Sequence, residues 1–203
     1  MIKHGGATMT KGRIAIAALA GGIGMYFWAS LAHLALPLAT VGVSEISNNE
    51  TAALDALHTS IGNKPGFYIF PSMGLNAGGT SSQREDAMKM YDAKLASTPS
   101  GLLIYHPPGA RSLTPGQLLT EFLVELLEAA LAIVLLAQTN ITSLSGRIGF
   151  VALVGLLASL PTNVSYWNWY GFPTSYTISY MFTEIVGFTV AGIIAAFILR
   201  RQA

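Results

Sequence analysis

The chain has 203 residues and a formal net charge of +1, and 52% of its residues are hydrophobic. Only 10% are charged, against about 25% in soluble domains, which excludes an ordinary soluble protein. The small net charge gives no reason to expect a nucleic-acid partner, and the lack of cysteine excludes disulfides, thiolate-bound zinc and iron–sulfur clusters.

The apolar residues fall mainly in four blocks, and the first of them, residues 14–38, follows the basic residues Lys3, Lys11 and Arg13. A basic stretch before an apolar core is typical of a signal peptide, but such a core has only about 7–15 residues. A longer block predicts a transmembrane helix, because about 20 apolar residues cross a bilayer. Residues 1–13 then form a cytoplasmic tail.

A less apolar segment, residues 41–113, follows the first block and predicts a small extracytoplasmic α/β cap. Its pattern indicates helix, strand, helix and strand over residues 48–61, 66–70, 81–97 and 101–105. An asparagine is expected to cap the first of these helices, and the second is expected to be amphipathic.

The two predicted strands could pair in parallel through a right-handed crossover, since a helix separates them. Residues 71–82, "PSMGLNAGGTSS", are rich in glycine and serine and predict a flexible loop. A phosphate-binding role is not expected, because the stretch lacks the spacing and lysine of a phosphate-binding loop. A cap of this size has only a small hydrophobic core, so it is expected to be stabilised by packing against the membrane helices or another subunit.

The second block, residues 115–138, has a strong helix start: Thr114 at the N-cap, Pro115 at the first helical position and Gln117 at the capping-box position. The third block predicts a helix over residues 146–168, kinked at Pro161. The fourth predicts a helix over residues 174–199, between a proline and two arginines. The predicted fold class is therefore membrane all-α, a four-transmembrane-helix bundle with the cap between its first two helices.

Orientation follows from the positive-inside rule. Basic residues without acids occupy the N-terminal tail, the short loop before the third helix and the C-terminus, namely Lys3, Lys11, Arg13, Arg147, Arg200 and Arg201. Both termini are thus predicted to be cytoplasmic, and residues 41–113 extracytoplasmic. The aromatic loop at residues 165–176 then suits the outer headgroup level.

Three carboxylates interrupt the second block. Glu121, Glu125 and Glu128 are spaced i, i+4 and i+7, which places them on one stripe of the helix. Counting along the helices puts Glu184 at a similar depth and His33 in the same half of the bilayer. An acid facing lipid costs about 3 kcal/mol, so this stripe must face protein, a cavity or water.

Two interpretations of the five residues stay open. The carboxylates can stabilise contacts between helices or subunits through hydrogen bonds, with His33 bonded to a glutamate of the second or fourth helix. They can instead form a proton or cation path, because neighbouring acids repel each other and favour sharing a proton. The Glu-x-x-His pair typical of carboxylate metal sites in bundles is missing, so no metal site is predicted.

Small residues at four-residue spacing predict close helix packing or docking. They are Gly187, Ala191 and Ala195 in the fourth block, and Ala20 and Gly24 in the first. No G-x-S-x-G, S-x-x-K or H-E-x-x-H motif is present, so an enzyme is not expected.

The resulting hypothesis is a non-catalytic accessory or assembly subunit of a larger membrane complex, whose partners are lipids and other integral membrane subunits. The first alternative is a small proton- or cation-coupled carrier that uses Glu121, Glu125, Glu128, Glu184 and His33. The second is a subunit that carries a pigment or haem through His33, the sole histidine in the predicted spans. Bound lipids are expected, and no other cofactor is predicted.

Overall fold

The computed structural model describes residues 10–74, 79–110 and 113–200. Most of the predicted N-terminal tail, including Lys3, lies outside the described residues, as do Arg111, Arg201 and part of the predicted glycine-rich loop. The elements in chain order are α1 (Lys11–Leu34), a 3-10 turn (Pro37–Thr40), α2 (Glu50–Ile61), β1 (Gly66–Phe70), α3 (Ser81–Ser97), β2 (Gly101–Tyr105), α4 (Pro115–Ala137), α5 (Leu144–Tyr170) and α6 (Thr174–Ile198). The chain is thus mostly helical.

The described residues form two units. The helical unit consists of α1, the 3-10 turn, α4, α5 and α6, and the inserted unit consists of α2, β1, α3 and β2. Three helices, α1, α5 and α6, are long and apolar enough to cross a membrane, with 24, 27 and 25 residues. At 23 residues α4 is nearly as long, but its three glutamates make it less apolar than α1, α5 and α6, so it is not counted among the helices able to span.

The first helix differs from its prediction at both ends. It begins at Lys11, where the Thr10 side chain accepts a hydrogen bond from the Arg13 amide, and it ends at Leu34 rather than at residue 38. Pro37 explains the early end, because proline disfavours helical geometry in the residue before it. Leu36 is extended, with ψ of 139°, and the chain continues as the 3-10 turn.

Local signals predicted α4 well and α5 in part. The capping box at the start of α4 is confirmed, since the Thr114 side chain accepts from the Gln117 amide and the Gln117 side chain accepts from the Thr114 amide. In α5 the helix runs through Pro161 to Tyr170 and is followed by Gly171, whose φ of 70° suits a residue without a Cβ.

The centre of the helical unit is the pair α1 and α6. The α6 helix packs along both α1 and α5, and α1 packs along α4, whereas α4 makes few contacts with α5 and α6. The buried core of this unit lies toward the C-terminal ends of α4 and α6 and consists of Ala17, Met25, Ala129, Ala132, Ile133, Leu136, Val151, Phe188, Ala191, Ala195 and Leu199. The four helices therefore close together at that end.

Glycines set the close crossings in the helical unit. A Cβ added at Gly22 of α1 would lie 2.7 Å from Leu126 Cα of α4. A Cβ added at Gly155 of α5 would lie 2.5 Å from Phe188 Cβ of α6. Both positions thus exclude any larger residue unless the helices move apart.

In the inserted unit the predicted parallel pairing is wrong, because β1 and β2 are antiparallel. The register pairs Gly66 with Tyr105 and Phe70 with Gly101. A parallel sheet needs cover on both faces, whereas an antiparallel pair tolerates one open face. This sheet has only two strands and leaves one face exposed, so the antiparallel arrangement is the physically favoured one.

The helices of the inserted unit also differ from expectation. Asn49 stands at the N-cap of α2 as predicted, but it has a left-handed φ of 55° and its side chain makes no capping hydrogen bond. No residue of α2 or α3, both described throughout, is buried. The predicted amphipathic face of α3 therefore covers no core, and Tyr105 is the buried residue of this unit's sheet.

Candidate functional site: an acidic cleft in the helical unit

The glutamate-bearing half of α4 is open. This helix is described throughout, and its buried residues, Ala129, Ala132, Ile133 and Leu136, all come after the last glutamate. Glu121 is exposed, and Glu125 and Glu128 are half-buried. Because α4 packs mainly on α1 and makes few contacts with α5 and α6, this half of the helix is only partly covered by its neighbours.

Glu125 stands at the closest approach of α1 and α4. A Cβ added at Gly22 would lie 3.2 Å from the Glu125 backbone oxygen. The Oε2 atom of Glu125 is buried and has no hydrogen-bond partner among residues 10–74, 79–110 and 113–200. A buried carboxylate oxygen without a partner is costly, so a proton, a cation or a hydrogen-bond donor at this atom would be stabilising.

Glu184 of α6 is held by an amide from α5. The Asn163 Nδ2 group donates to Glu184 Oε2 at 3.0 Å and to the Ser159 carbonyl oxygen at 2.9 Å. Asn163 is buried and Ser159 is fully buried, so this polar contact is protected on the α5 side. Asn163 was not predicted as a site residue; its one sequence signal is an amide just after Pro161 in an otherwise apolar helix.

The structure brings the four predicted carboxylates together. Glu125 is near enough to Glu121, Glu128 and Glu184 to interact with each electrostatically, and Glu128 is near enough to Glu121 and Glu184. We call this group, Glu121, Glu125, Glu128, Glu184 and the supporting Asn163, the acidic cleft. No described basic side chain forms an ion pair with any of its carboxylates, and no described residues form a group of three that could hold a metal ion.

The contacts of His33 are with its own helix and with Tyr180 of α6. Its Nδ1 atom is bonded to the Ala29 carbonyl oxygen at 2.8 Å, so the expected hydrogen bond to a glutamate is wrong. The ring is exposed and meets the Tyr180 ring edge to face, with centroids 6.3 Å apart. The carbonyl four residues earlier on the same helix is always within reach of a helical side chain, which explains this choice of partner.

A row of aromatic rings leads to His33 from the end of α5. Tyr166 stacks on Phe172 at 5.2 Å, Phe172 meets Tyr176 at 5.3 Å, and Tyr176 stacks on Tyr180 at 4.5 Å. The sequence predicted the aromatic loop, but not its continuation along α6. Rings at this spacing make the junction of α5, α6 and α1 a rigid aromatic end of the helical unit.

The predicted small residues pack inside the chain. A Cβ added at Gly187 would lie 3.5 Å from Trp28 Cδ1, and one added at Gly24 would lie 2.4 Å from Ile194 Cδ1. Ala191 and Ala195 are fully buried, and Ala20 is half-buried. These residues bring α1 and α6 together, and their use in docking to another protein stays a prediction.

The class of protein is therefore a mostly helical one with three helices able to span a membrane and an acidic cleft beside a fourth. Comparison with protein-family models, with curated proteins and with solved structures finds no match for this chain. Chemically, the cleft can accept hydrogen bonds, pair with cationic groups or exchange protons.

Proposed function

We propose that this chain is a multi-pass membrane protein that serves as a non-catalytic accessory or assembly subunit of a larger membrane complex. The observation that carries the proposal is the open carboxylate stripe of α4, which has no ionic partner among the described residues. Acids at membrane depth need a partner. A neighbouring subunit with a lysine, an arginine or hydrogen-bond donors at that depth would supply one.

The proposal includes α4 as a fourth transmembrane helix. At about 1.5 Å per residue its 23 residues extend about 35 Å, enough for a hydrocarbon core of about 30 Å. The carboxylates lie on the flank toward Glu184 rather than around the helix, which fits a helix whose acids avoid lipid. Most of the other exposed side chains of α4 after Thr120 are aliphatic, including Leu123, Leu127, Leu131 and Leu135.

The proposed orientation has both termini in the cytoplasm and residues 41–113 outside. Arg13, Arg147 and Arg200 lie at the start of α1, the start of α5 and the end of α6, and these ends fall together because the helices alternate in direction. The Arg13 guanidinium donates to the carbonyl oxygens of Ile198 and Arg200. A basic cluster at one end of the bundle fits the positive-inside rule.

Subunit docking is tested with glutamine substitutions, which remove the negative charge of the α4 glutamates but keep nearly the same side-chain size. Full-length protein with Glu125→Gln and Glu128→Gln, extracted gently from its native membrane, should lose the proteins that accompany the unmodified chain. The matched control, Glu85→Gln with Asp86→Asn on α3, removes the same charge elsewhere and should keep them. Retention of all partners by the cleft variant would refute docking through the stripe.

A second candidate is a small proton- or cation-coupled carrier. The unpartnered Oε2 atom of Glu125 favours it, together with the approach of Glu128 and Glu184, because such a group binds protons or cations readily. Proteoliposomes loaded with a pH- or cation-sensitive dye would show flux that the same two Gln substitutions abolish while assembly persists. This outcome would separate the carrier from the docking subunit.

Carriage of a pigment or haem through His33 stays a separate prediction. The exposed ring keeps its Nε2 atom on the side away from the Ala29 bond, so one axial ligand could be offered. Protein purified from its native membrane would then have a visible absorption band that disappears in His33→Ala. A colourless preparation from that membrane would refute this prediction.

A further inference from the structure

The two-stranded sheet of the inserted unit has two different faces. In the antiparallel register Phe67 pairs with Ile104 and Ile69 pairs with Leu102. Side chains alternate between faces along a strand, so these four residues share one face. We call this the apolar sheet face, because none of its four side chains carries a polar atom.

The apolar sheet face is uncovered. Phe67 is 63% exposed, Ile69 47% and Ile104 70%, and Leu102 is half-buried. Four adjacent apolar side chains left in water are unfavourable, since each buried aliphatic or aromatic side chain gains about 1.5–3 kcal/mol.

The opposite face of the sheet makes contacts within the inserted unit. Tyr105 is buried there, its hydroxyl donates to the Gly62 carbonyl oxygen at 2.9 Å and lies 3.1 Å from His58 Nδ1. The Tyr68 ring meets the Tyr105 ring edge to face at 6.3 Å. Contacts with the end of α2 therefore fix this face of the sheet, and the apolar sheet face is the one left for a binding partner.

Its size argues against a protein as that partner. Two five-residue strands measure about 17 Å by 10 Å, or about 170 Å², whereas a stable protein interface covers about 800 Å² on each side. Insertion into the interfacial layer of a bilayer needs no such minimum, because the affinity grows with the apolar area inserted. An all-apolar surface without donors or acceptors also suits a lipid better than a specific protein.

Two basic side chains lie beside the sheet. Lys64 and His106 are exposed at the end where Gly66 pairs with Tyr105. The segment 41–113 as a whole is nearly neutral, with five basic and six acidic residues, so its charge does not oppose contact with phosphate headgroups, and Lys64 can pair with one.

The connection to α4 keeps the sheet within reach of the bilayer. Only residues 106–114 separate β2 from α4, and such a segment extends at most about 30 Å. This step rests on the proposed function, in which α4 spans the membrane. The sheet is then tethered permanently near lipid headgroups, so weak affinity suffices for lasting contact.

From these observations we infer that the apolar sheet face, Phe67, Ile69, Leu102 and Ile104, inserts into the headgroup layer of the bilayer that the chain spans. The inserted unit is thereby a membrane-surface module as well as a connection between two helices. Its ligand is the phospholipid surface. The acyl chains contact the four apolar side chains, and the phosphate groups lie near Lys64 and His106.

The test exploits the absence of cysteine from the chain. A single Ile104→Cys variant of the full-length protein, labelled with an environment-sensitive NBD dye, is reconstituted into vesicles of phosphatidylcholine and phosphatidylglycerol. Met90→Cys on α3, at a residue 65% exposed, is the matched control. Phe67→Cys on the neighbouring strand repeats the measurement at a second position of the face, in case one label disturbs folding.

The dye at residues 104 and 67 should emit at shorter wavelength than at residue 90, and it should be quenched by lipids that carry a nitroxide near the headgroup end of the acyl chain. Aqueous iodide should quench it several-fold less than the dye at residue 90. Full access to iodide at both face positions would overturn the inference. Protection from iodide and lipid nitroxide alike would also overturn it, because a protein would then cover the face. Either result leaves the docking test on α4 unaffected.

Discussion

Two carboxylates of the acidic cleft differ in how they are supported. Glu184 accepts the Asn163 amide, whereas Glu125 Oε2 is buried without a donor. A hydrogen bond to a charged or shared-proton group is stronger than a neutral one. The amide therefore stabilises the acid on the α5–α6 side, whereas no described donor does so for the buried oxygen of Glu125 on the α4 side.

This contrast predicts the effect of removing the amide. Asn163→Ala should lower the free energy of unfolding by about 1–3 kcal/mol, because Glu184 and the Ser159 carbonyl oxygen both lose a donor. Thermal unfolding in detergent measures this loss. Asn168→Ala, at an exposed position of the same helix, is the control and should change little. Equal stability of the two variants would mean that the amide contributes nothing to the cleft.

Periodic patterns carried the residue-level predictions. The i, i+4, i+7 spacing predicted three glutamates on one stripe of α4 with Glu184 nearby, and the structure has these side chains within electrostatic range of one another. Their depth in a bilayer stays a prediction. The hydrogen-bond partners of His33 and Asn163 could not be predicted in this way. Each depends on which donor or carbonyl lies nearest in space, and such a choice among several polar groups leaves no periodic signal.

At the scale of elements, glycines decide how closely helices approach. Gly22→Ala should destabilise the protein by about 1–3 kcal/mol, since its methyl group would overlap the α4 backbone at Leu126. Gly149→Ala is the matched control, because nothing lies within 4 Å of its added Cβ. That change should be neutral or stabilise α5 by up to about 1 kcal/mol. Thermal unfolding of both variants checks the difference in sign, and a stable Gly22→Ala protein would contradict the close crossing.

The ends of elements yield a further prediction. Arg13 binds the carbonyl oxygens of Ile198 and Arg200 at the C-terminus of α6, where a cation also meets the negative end of the helix dipole. Arg13→Gln should therefore cost about 0.5–2 kcal/mol of stability, whereas Lys11→Gln in the same turn of α1 should cost less. Chemical unfolding in detergent compares the two. Equal losses would show that the guanidinium contacts add nothing.

Elements with local signals were predicted, and those set by long-range contacts were not. The capping box at Thr114 and the strands ended by prolines depend on a few neighbouring residues, so their positions could be inferred. The direction in which β1 and β2 pair depends on contacts between segments 30 residues apart, so it could not. The end of α1 was missed because the apolar pattern continues past Pro37, while proline geometry stops the helix.

For the whole molecule, we propose separate roles for two surfaces. The carboxylate stripe of α4 faces a neighbouring subunit, and the apolar sheet face contacts the lipid surface. Both explain exposed features that a free-standing helical bundle would not keep, since unpaired acids and bare apolar strands are each unfavourable in the surroundings the chain is proposed to occupy.

Native mass spectrometry of gently solubilised material from the native membrane would decide whether this chain functions as a subunit. For a subunit we expect a mass far above the 21.5 kDa of the chain, with other membrane proteins attached in fixed ratio and lost from the Glu125→Gln, Glu128→Gln variant. A bare monomer or an assembly of this chain alone would contradict it and would favour the carrier.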